Sequence, residues 1–348
     1  MTSQRSPEDI RDIRRRNPSM RARDLARIHR FSEAELVAAQ VGTGAVALAP
    51  DVAILLQGLA NAGQIMALTR NESCVSEKIG PVERVEVTPH AAMVIGEQID
   101  LRIFPRHWKY GFAVERLDEA GKPLRSLQFF DGQGTAVHKV HARPETDLAA
   151  WNKLVTDLTL PEQSDAIIVE PQPEPATHAK TFDKDDLRQR WVGMTDTHQV
   201  FGLLRDLRIS RLQALDALGS ELAWELDNTA VEALFQRAAT EALPVMIFVA
   251  NPGCTQIHAG PVENIKLMGP WLNVMDASFH MHLRLDQIDR VWAVRRPTEQ
   301  GYLTSVELFD GAGEPILQMF GRRERGQPER ADWRALSESL PLKMDRSA

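Results

Sequence analysis

A long block of sequence occurs twice in this chain at an almost fixed spacing, and that constrains the fold more than any other feature. Asn71-x-x-Cys74 and Gly80-Pro81-Val82-Glu83 return as Asn251-x-x-Cys254 and Gly260-Pro261-Val262-Glu263, an offset of 180 residues (251 − 71 and 260 − 80). Phe130-Asp131-Gly132-x-Gly134 returns as Phe309-Asp310-Gly311-x-Gly313, an offset of 179 (309 − 130). A repeat of this length is a duplicated domain rather than a short solenoid unit.

Each copy shows the same order of elements. Helical patterns cover residues 7–30, 32–40 and 51–59, and again 184–207, 210–218 and 229–242. Strand-like runs follow at 65–69, 82–88, 99–104, 110–117 and 126–130, matched by 245–250, 262–268, 277–283, 290–295 and 305–309. Turn residues separate them, as in Asp118-Glu119-Ala120-Gly121, Asp131-Gly132 and Asp310-Gly311, and short strands joined by tight turns form antiparallel meanders. The fold class expected is α+β: a tandem repeat in which each half is an antiparallel β-sheet with a helical cap. The first repeat is expected over residues 1–160 and the second over 181–348. A linker over 161–180 carries Pro161, Pro171, Pro173 and Pro175, and the tail past Leu342 is expected to fray.

Length and charge agree with this. Two domains suit 348 residues, and a net charge of −7 argues against a general nucleic-acid binder. The arginines at 14, 15, 16, 21 and 23 read first as a solvated helical face, and otherwise as an arm for an anionic partner. The most apolar run, 45–60, is broken by Pro50 and Asp51 and is too short to span a bilayer. The first thirty residues lack the apolar core of a secretory signal. Two cysteines, Cys74 and Cys254, exclude a disulfide framework, so a cytoplasmic, non-membrane protein is expected.

Residues present in one copy only are the better functional candidates. In the second copy Leu187, Trp191, Met194, His198 and Phe201 fall at i, i+4, i+7, i+11 and i+14, one face of a single helix over 184–207. Asp183 is its expected N-cap, with Asp185 and Asp186 in the first turn and Arg211 just beyond its end. On that apolar face His198 reads either as an ordinary half-buried core histidine or as a ligand for a flat apolar cofactor with a metal at its centre. It has no histidine counterpart in the first copy, where residues 14–18 offer only Arg, Asn and Pro. Arg211 faces His29 in a loose helical alignment. Arg102 faces His282, Phe104 faces Arg284, Lys139 faces Gln318 and His141 faces Phe320. The shared glycines and both cysteines read as packing. His280 and His282 share one strand face but have no spaced third metal ligand. Phosphate loops, nucleophile elbows and paired metal-ligand motifs are absent from the sequence.

At Trp191-x-x-Met-Thr-Asp-Thr-His198, at Gly-Pro-Trp-Leu-Asn-Val (269–274) and at Leu-Gln-Met-Phe-Gly-Arg-Arg (317–323), the chain resembles the cytoplasmic haemin-transport or haemin-degrading family of bacterial haem-uptake systems (HemS/HmuS type). The resemblance covers nearly the whole chain, repeat and linker included. It implies haem in a cleft between the halves, with His198 matching the axial iron ligand. Arg102 and Phe104 then match the distal residues, with Arg102 the candidate catalytic residue, and Phe248 adds a third. Arg211, Arg296, Gln318 and Arg323 match propionate and rim contacts. Two positions depart from the pattern: Phe320 replaces a tyrosine found in some relatives, and Arg296 an expected lysine.

Chemically the set is coherent. Haem needs an axial nitrogen, apolar walls and cations for two propionates. The resemblance implies a haem carrier of iron acquisition that serves an inner-membrane haem transporter or a haem oxygenase, or an enzyme degrading haem with an external electron donor. The alternative is a scaffold or regulatory protein-binding module with His198 merely in its core.

Overall fold

The computed structural model describes residues 5–174, 177–324 and 326–344. Pro175 of the proline-rich stretch and residues 345–348 of the tail lie outside them. In the first half of the sequence the elements are α1 (Pro7–Arg16), α2 (Ala22–His29), α3 (Glu33–Ala38), β1 (Ala45–Leu48), α4 (Val52–Leu59), β2 (Gly63–Arg70), β3 (Cys74–Gly80), β4 (Arg84–Val87), β5 (Ala92–Ile95), β6 (Asp100–Ile103), β7 (Tyr110–Leu117), β8 (Pro123–Phe130), β9 (Ala136–Thr146) and α5 (Leu148–Leu158). The second half repeats the series with α6 (Lys184–Val192), α7 (Gln199–Leu207), α8 (Arg211–Leu218), β10 (Ala223–Leu226), α9 (Thr229–Thr240), β11 (Val245–Asn251), β12 (Cys254–Gly260), β13 (Ile265–Met268), β14 (Trp271–Met275), β15 (Phe279–Arg284), β16 (Arg290–Thr298), β17 (Gly301–Phe309), β18 (Pro315–Gly321) and α10 (Ala331–Glu338).

By contact the chain forms two compact units. Unit 1 is Met1–Arg70, Ser76–Pro173 and Ala250–Gln256; unit 2 is Asn71–Val75, Glu174–Val249 and Ile257–Ala348. Each unit thus takes a short segment from the repeated Asn-x-x-Cys block of the other copy.

In unit 1 the antiparallel pairs β1·β7, β7·β8, β8·β9 and β9·β2 form a meander, and β4·β5·β6 form a second. Unit 2 repeats this with β10·β16·β17·β18·β11 and β13·β14·β15. Alternation decides which face is buried. Along β11, Val245, Ile247 and Val249 point into a core with Trp333 of α10 and Phe235 of α9. Met246 and Phe248, one residue out of phase, point to the other face and are half-buried.

Helix starts follow local chemistry. Ser32 and Ser210 each accept from the third backbone N–H of the following helix, and their own N–H groups donate to the side chains of Glu35 and Gln213 respectively. These two capping boxes set the register between the copies at 178 (210 − 32). The counterpart of Arg211 is therefore Glu33, not His29 as the looser alignment gave.

The two cysteines behave as packing residues. Both are free and buried, and burial pushes the Cys254 thiol up to about 12.

Candidate functional site

The expected single helix over 184–207 is two helices. α6 is capped by Asp183, whose carboxylate accepts from the Asp185 and Asp186 backbone N–H groups at 2.9 and 3.1 Å. It stops at Val192, with Gly193 as C-cap. The reason is local: Thr195, Asp196 and Thr197 favour side-chain bonds to their own backbone over helix. Gln199 Oε1 accepts from the Thr195 and Asp196 N–H groups at 2.8 and 3.2 Å. Asp196 Oδ1 accepts from the His198 N–H at 2.7 Å.

The break divides the apolar stripe. Leu187, Trp191 and Met194 are buried as the spacing predicts, and Trp191 Nε1 donates to Arg295 O at 2.9 Å. Beyond the break the stripe fails. His198 stands at the N-cap of α7 with its side chain 84% exposed, and Phe201 is 66% exposed. The expectation of an apolar environment for His198 is therefore corrected, and so is the core-histidine reading.

The exposed ring is nevertheless oriented. His198 Nδ1 lies 2.7 Å from Asp196 Oδ1. An ionised carboxylate only accepts, so Nδ1 carries the hydrogen in the neutral ring and Nε2 keeps its lone pair. That is the tautomer a metal ligand needs.

The half-buried sheet face of unit 2 collects most of the other candidates. Phe248 pairs with Gln318, and Gln318 with Glu307; Met246 pairs with Phe320, and Phe320 with Ser305. Phe248 and Phe320 meet edge to face, ring centroids 5.5 Å apart. Arg296 lies over the Phe320 ring at 5.2 Å.

At the centre of this face is an ion cluster. Arg211, in the first turn of α8, donates from Nη2 to Glu307 Oε1 at 2.7 Å and from Nε to Oε2. Arg296 Nη2 donates to the same Oε1, and Ser305 Oγ adds a bond at 2.7 Å. Burial alone would raise the Glu307 carboxyl, but Arg211 and Arg296 outweigh it and hold it at about 2. For Arg296, burial and then the Arg211 charge lower its value to about 10, against the pull of Glu307. Two guanidiniums thus share one carboxylate and leave a net positive charge beside two aromatic rings. Arg296 Nε is buried without a hydrogen-bond partner, a donor still available to an acceptor.

The remaining candidates lie on other segments. Arg323, past the end of β18, donates to Glu324 O and Gln327 O. Arg102 and Phe104 belong to unit 1. Arg102 is paired with Asp100 and donates to Leu101 O at 3.0 Å. Phe104 precedes a short 3-10 turn and is 36% exposed. His280 and His282 line the half-buried side of β15, as their spacing predicts, and among the described residues no group of three candidate ligands could hold a metal ion.

Sequence reasoning missed Glu307 and Asp196. Glu307 could have been found from the repeat, because Gln128 occupies its place in the first copy (307 − 179). Asp196 sits inside the Trp191–His198 motif, two residues before the histidine it orients.

These features define a duplicated α+β protein whose second copy carries an oriented imidazole, an aromatic pair and surplus cations. The family model for the haemin-degrading HemS/ChuX domain matches twice, over residues 30–158 and 208–340. The hemin transport protein HmuS of Yersinia pestis is 37% identical over 319 residues, covering 91% of this chain and 92% of that protein. Holo-PhuS, a heme-binding protein from Pseudomonas aeruginosa, is 43% identical, with a TM-score of 0.94 over 97% of this chain and all of that one. ChuS, described as an E. coli heme oxygenase, is 34% identical, with a TM-score of 0.85 over 93% of this chain and 97% of its own. The chain belongs to the haemin-degrading HemS/ChuX family.

Proposed function

We propose that this protein binds haem within a haem-uptake and iron-acquisition system. The observation that carries the reading is the oriented His198: an exposed imidazole whose Nδ1 is held by Asp196, leaving Nε2 for iron. In this reading His198 would hold the haem iron through Nε2. Phe248 and Phe320 supply an apolar wall, and Phe104 a further apolar surface. Propionates are met by the surplus charge on Arg211 and Arg296, aided by Gln318 and Arg323. Arg102 would offer a hydrogen-bond donor to a group bound on the iron. The repeats are read as residues 1–160 and 181–348 with a linker over 161–180.

The residues present fit the group. Iron is given a neutral nitrogen, and the macrocycle a pair of rings. The carboxylates are offered cations not fully neutralised by Glu307. Bound haem supplies iron able to engage dioxygen or peroxide. The chain's part would be to hold it, to orient the His198 ring so that Nε2 faces the iron, and to offer one hydrogen-bond donor.

Whether haem is passed to an inner-membrane transporter or haem oxygenase, or degraded in place with an external electron donor, is a question of turnover. No helix among the described residues is long and apolar enough to cross a membrane; with two free, buried cysteines, a cytoplasmic setting is the natural reading.

A haem titration of wild type and His198→Ala tests the proposal. A one-to-one Soret endpoint lost or shifted in the variant supports it. An unchanged spectrum and affinity overturns the ligand assignment. Aerobic incubation with a reductant then separates carrier from enzyme: loss of the Soret band with release of iron or carbon monoxide marks degradation.

A further inference from the structure

Unit 1 presents the equivalent sheet face with its chemistry changed. Gln128 pairs with Lys139 and Ser126 with His141, as Glu307 and Ser305 pair with Gln318 and Phe320 in unit 2. The aromatic pair is gone: Leu68 and His141 stand where the other copy has Phe248 and Phe320. The face no longer offers a wall for a flat apolar ring.

Cations replace it. Glu33 opens α3 and is ion-paired with both Arg70 and Lys139, side chains that are nearly buried. One carboxylate thus serves two cations before the neighbours are counted. Ser126 pairs with both Val114 and His141, so Arg116 and Arg143, each two residues further along its strand, fall on the His141 face. Burial, then the charges of Lys139, Arg116 and Arg143, push His141 down to about 4. Arg14 of α1 also feels Arg116: its value is lowered by burial and then by that charge. It is half-buried and donates to Met20 O at 2.6 Å, whereas the sequence suggests a solvated helical face.

Little here answers the positive charge. Arg143 Nε is buried with no hydrogen-bond partner, and among the described residues Arg116 has no ion-pair partner. An unpartnered buried donor is uncommon in a finished fold, and a cation without a counter-charge beside it adds to the local positive potential. An anion would satisfy both. The surplus exceeds one charge, and the cations come from more than one strand. A tetrahedral oxyanion accepts from several directions and takes the forks of arginine side chains.

We infer that this face of unit 1 is a binding site for a compact phosphate-type anion, with Lys139 and His141 at its base and Arg116 and Arg143 at its rim. The site is separate from the residues assigned to haem and does not depend on that assignment.

Calorimetric titration of the full chain with pyrophosphate at constant ionic strength tests it. Saturable one-site binding is expected, weakened about tenfold or more by Arg116→Gln or Arg143→Gln, since each removes a charged donor worth ~1.5–3 kcal/mol. Arg116 is exposed, so its replacement leaves the fold intact. Arg205→Gln, on the exposed side of α7, controls for bulk charge and is expected to bind as wild type. Absence of saturable binding overturns the inference. So does an affinity unchanged in both rim variants, or one reduced equally by Arg205→Gln.

Discussion

Arg211 grips Glu307 through Nε and Nη2 together, tying the first turn of α8 to the middle of β17. Glu307→Gln keeps the shape and removes the charge, leaving Arg211 and Arg296 buried side by side. Breaking such a pair from one side costs about 3–5 kcal/mol. Urea unfolding checks this, and a loss below about 1 kcal/mol would show that the cluster contributes little. Acid adds a second readout. The carboxyl lies at about 2 against an ordinary 4.5, so between these values the unfolded chain holds the extra proton. The contribution is complete above the unfolded value and is lost as pH falls towards 2. The variant lacks that part of the acid dependence.

His138 governs a different range. It is buried in unit 1 with Nδ1 2.9 Å from Thr69 Oγ1 and 3.8 Å from Cys254 Sγ. Burial, and then His141, lower its value from 6.5 to about 3. Between those values only the unfolded chain takes up the proton, so stability falls as pH drops from 6.5 towards 3. His138→Asn flattens this stretch of the stability profile, whatever its cost at neutral pH. Equal slopes in both proteins would sink the assignment.

Asp196→Ala frees the His198 ring to rotate and to take either tautomer. Loss of such a partner typically weakens metal ligation about 10–100-fold, while thermal stability changes little because both side chains are largely exposed. Haem titration beside thermal melting separates the two effects. Asp196→Asn retains one acceptor oxygen and is expected to fall between.

On the proposed reading, Arg102→Ala is expected to alter haem turnover more than it alters folding. The Arg102–Asp100 pair spans two residues of one strand and is partly exposed, a setting in which ion pairs contribute roughly 0–1 kcal/mol. Aerobic turnover with a reductant, set against the melting temperature, decides it. Equal losses in both would mark Arg102 as structural.

The duplication was legible in the chain because motifs at a constant offset need no three-dimensional information. The α+β class and the strand meanders followed from turns and alternation. The helix break at Gly193 was not legible, because periodicity reports only which face a residue would occupy if the helix continued. The competing bonds of Asp196 and Gln199 are local geometry that no period reveals. Glu307 was hidden for another reason: a charged residue in a strand reads as solvent-facing until the arginines that bury it are placed. The resemblance led to His198, and the structure added the carboxylate that fixes its ring.

The helix-to-sheet ion pairs of the two copies have opposite polarity: α3 presents Glu33 to cations, whereas α8 presents Arg211 to an anion. During folding, two copies of one architecture compete for each other's helices. An α3 seated on the wrong sheet would set Glu33 against Glu307, and a misplaced α8 would set Arg211 against Arg70 and Lys139. The reversed polarity makes each swapped pairing a like-charge contact, which disfavours it relative to the native one.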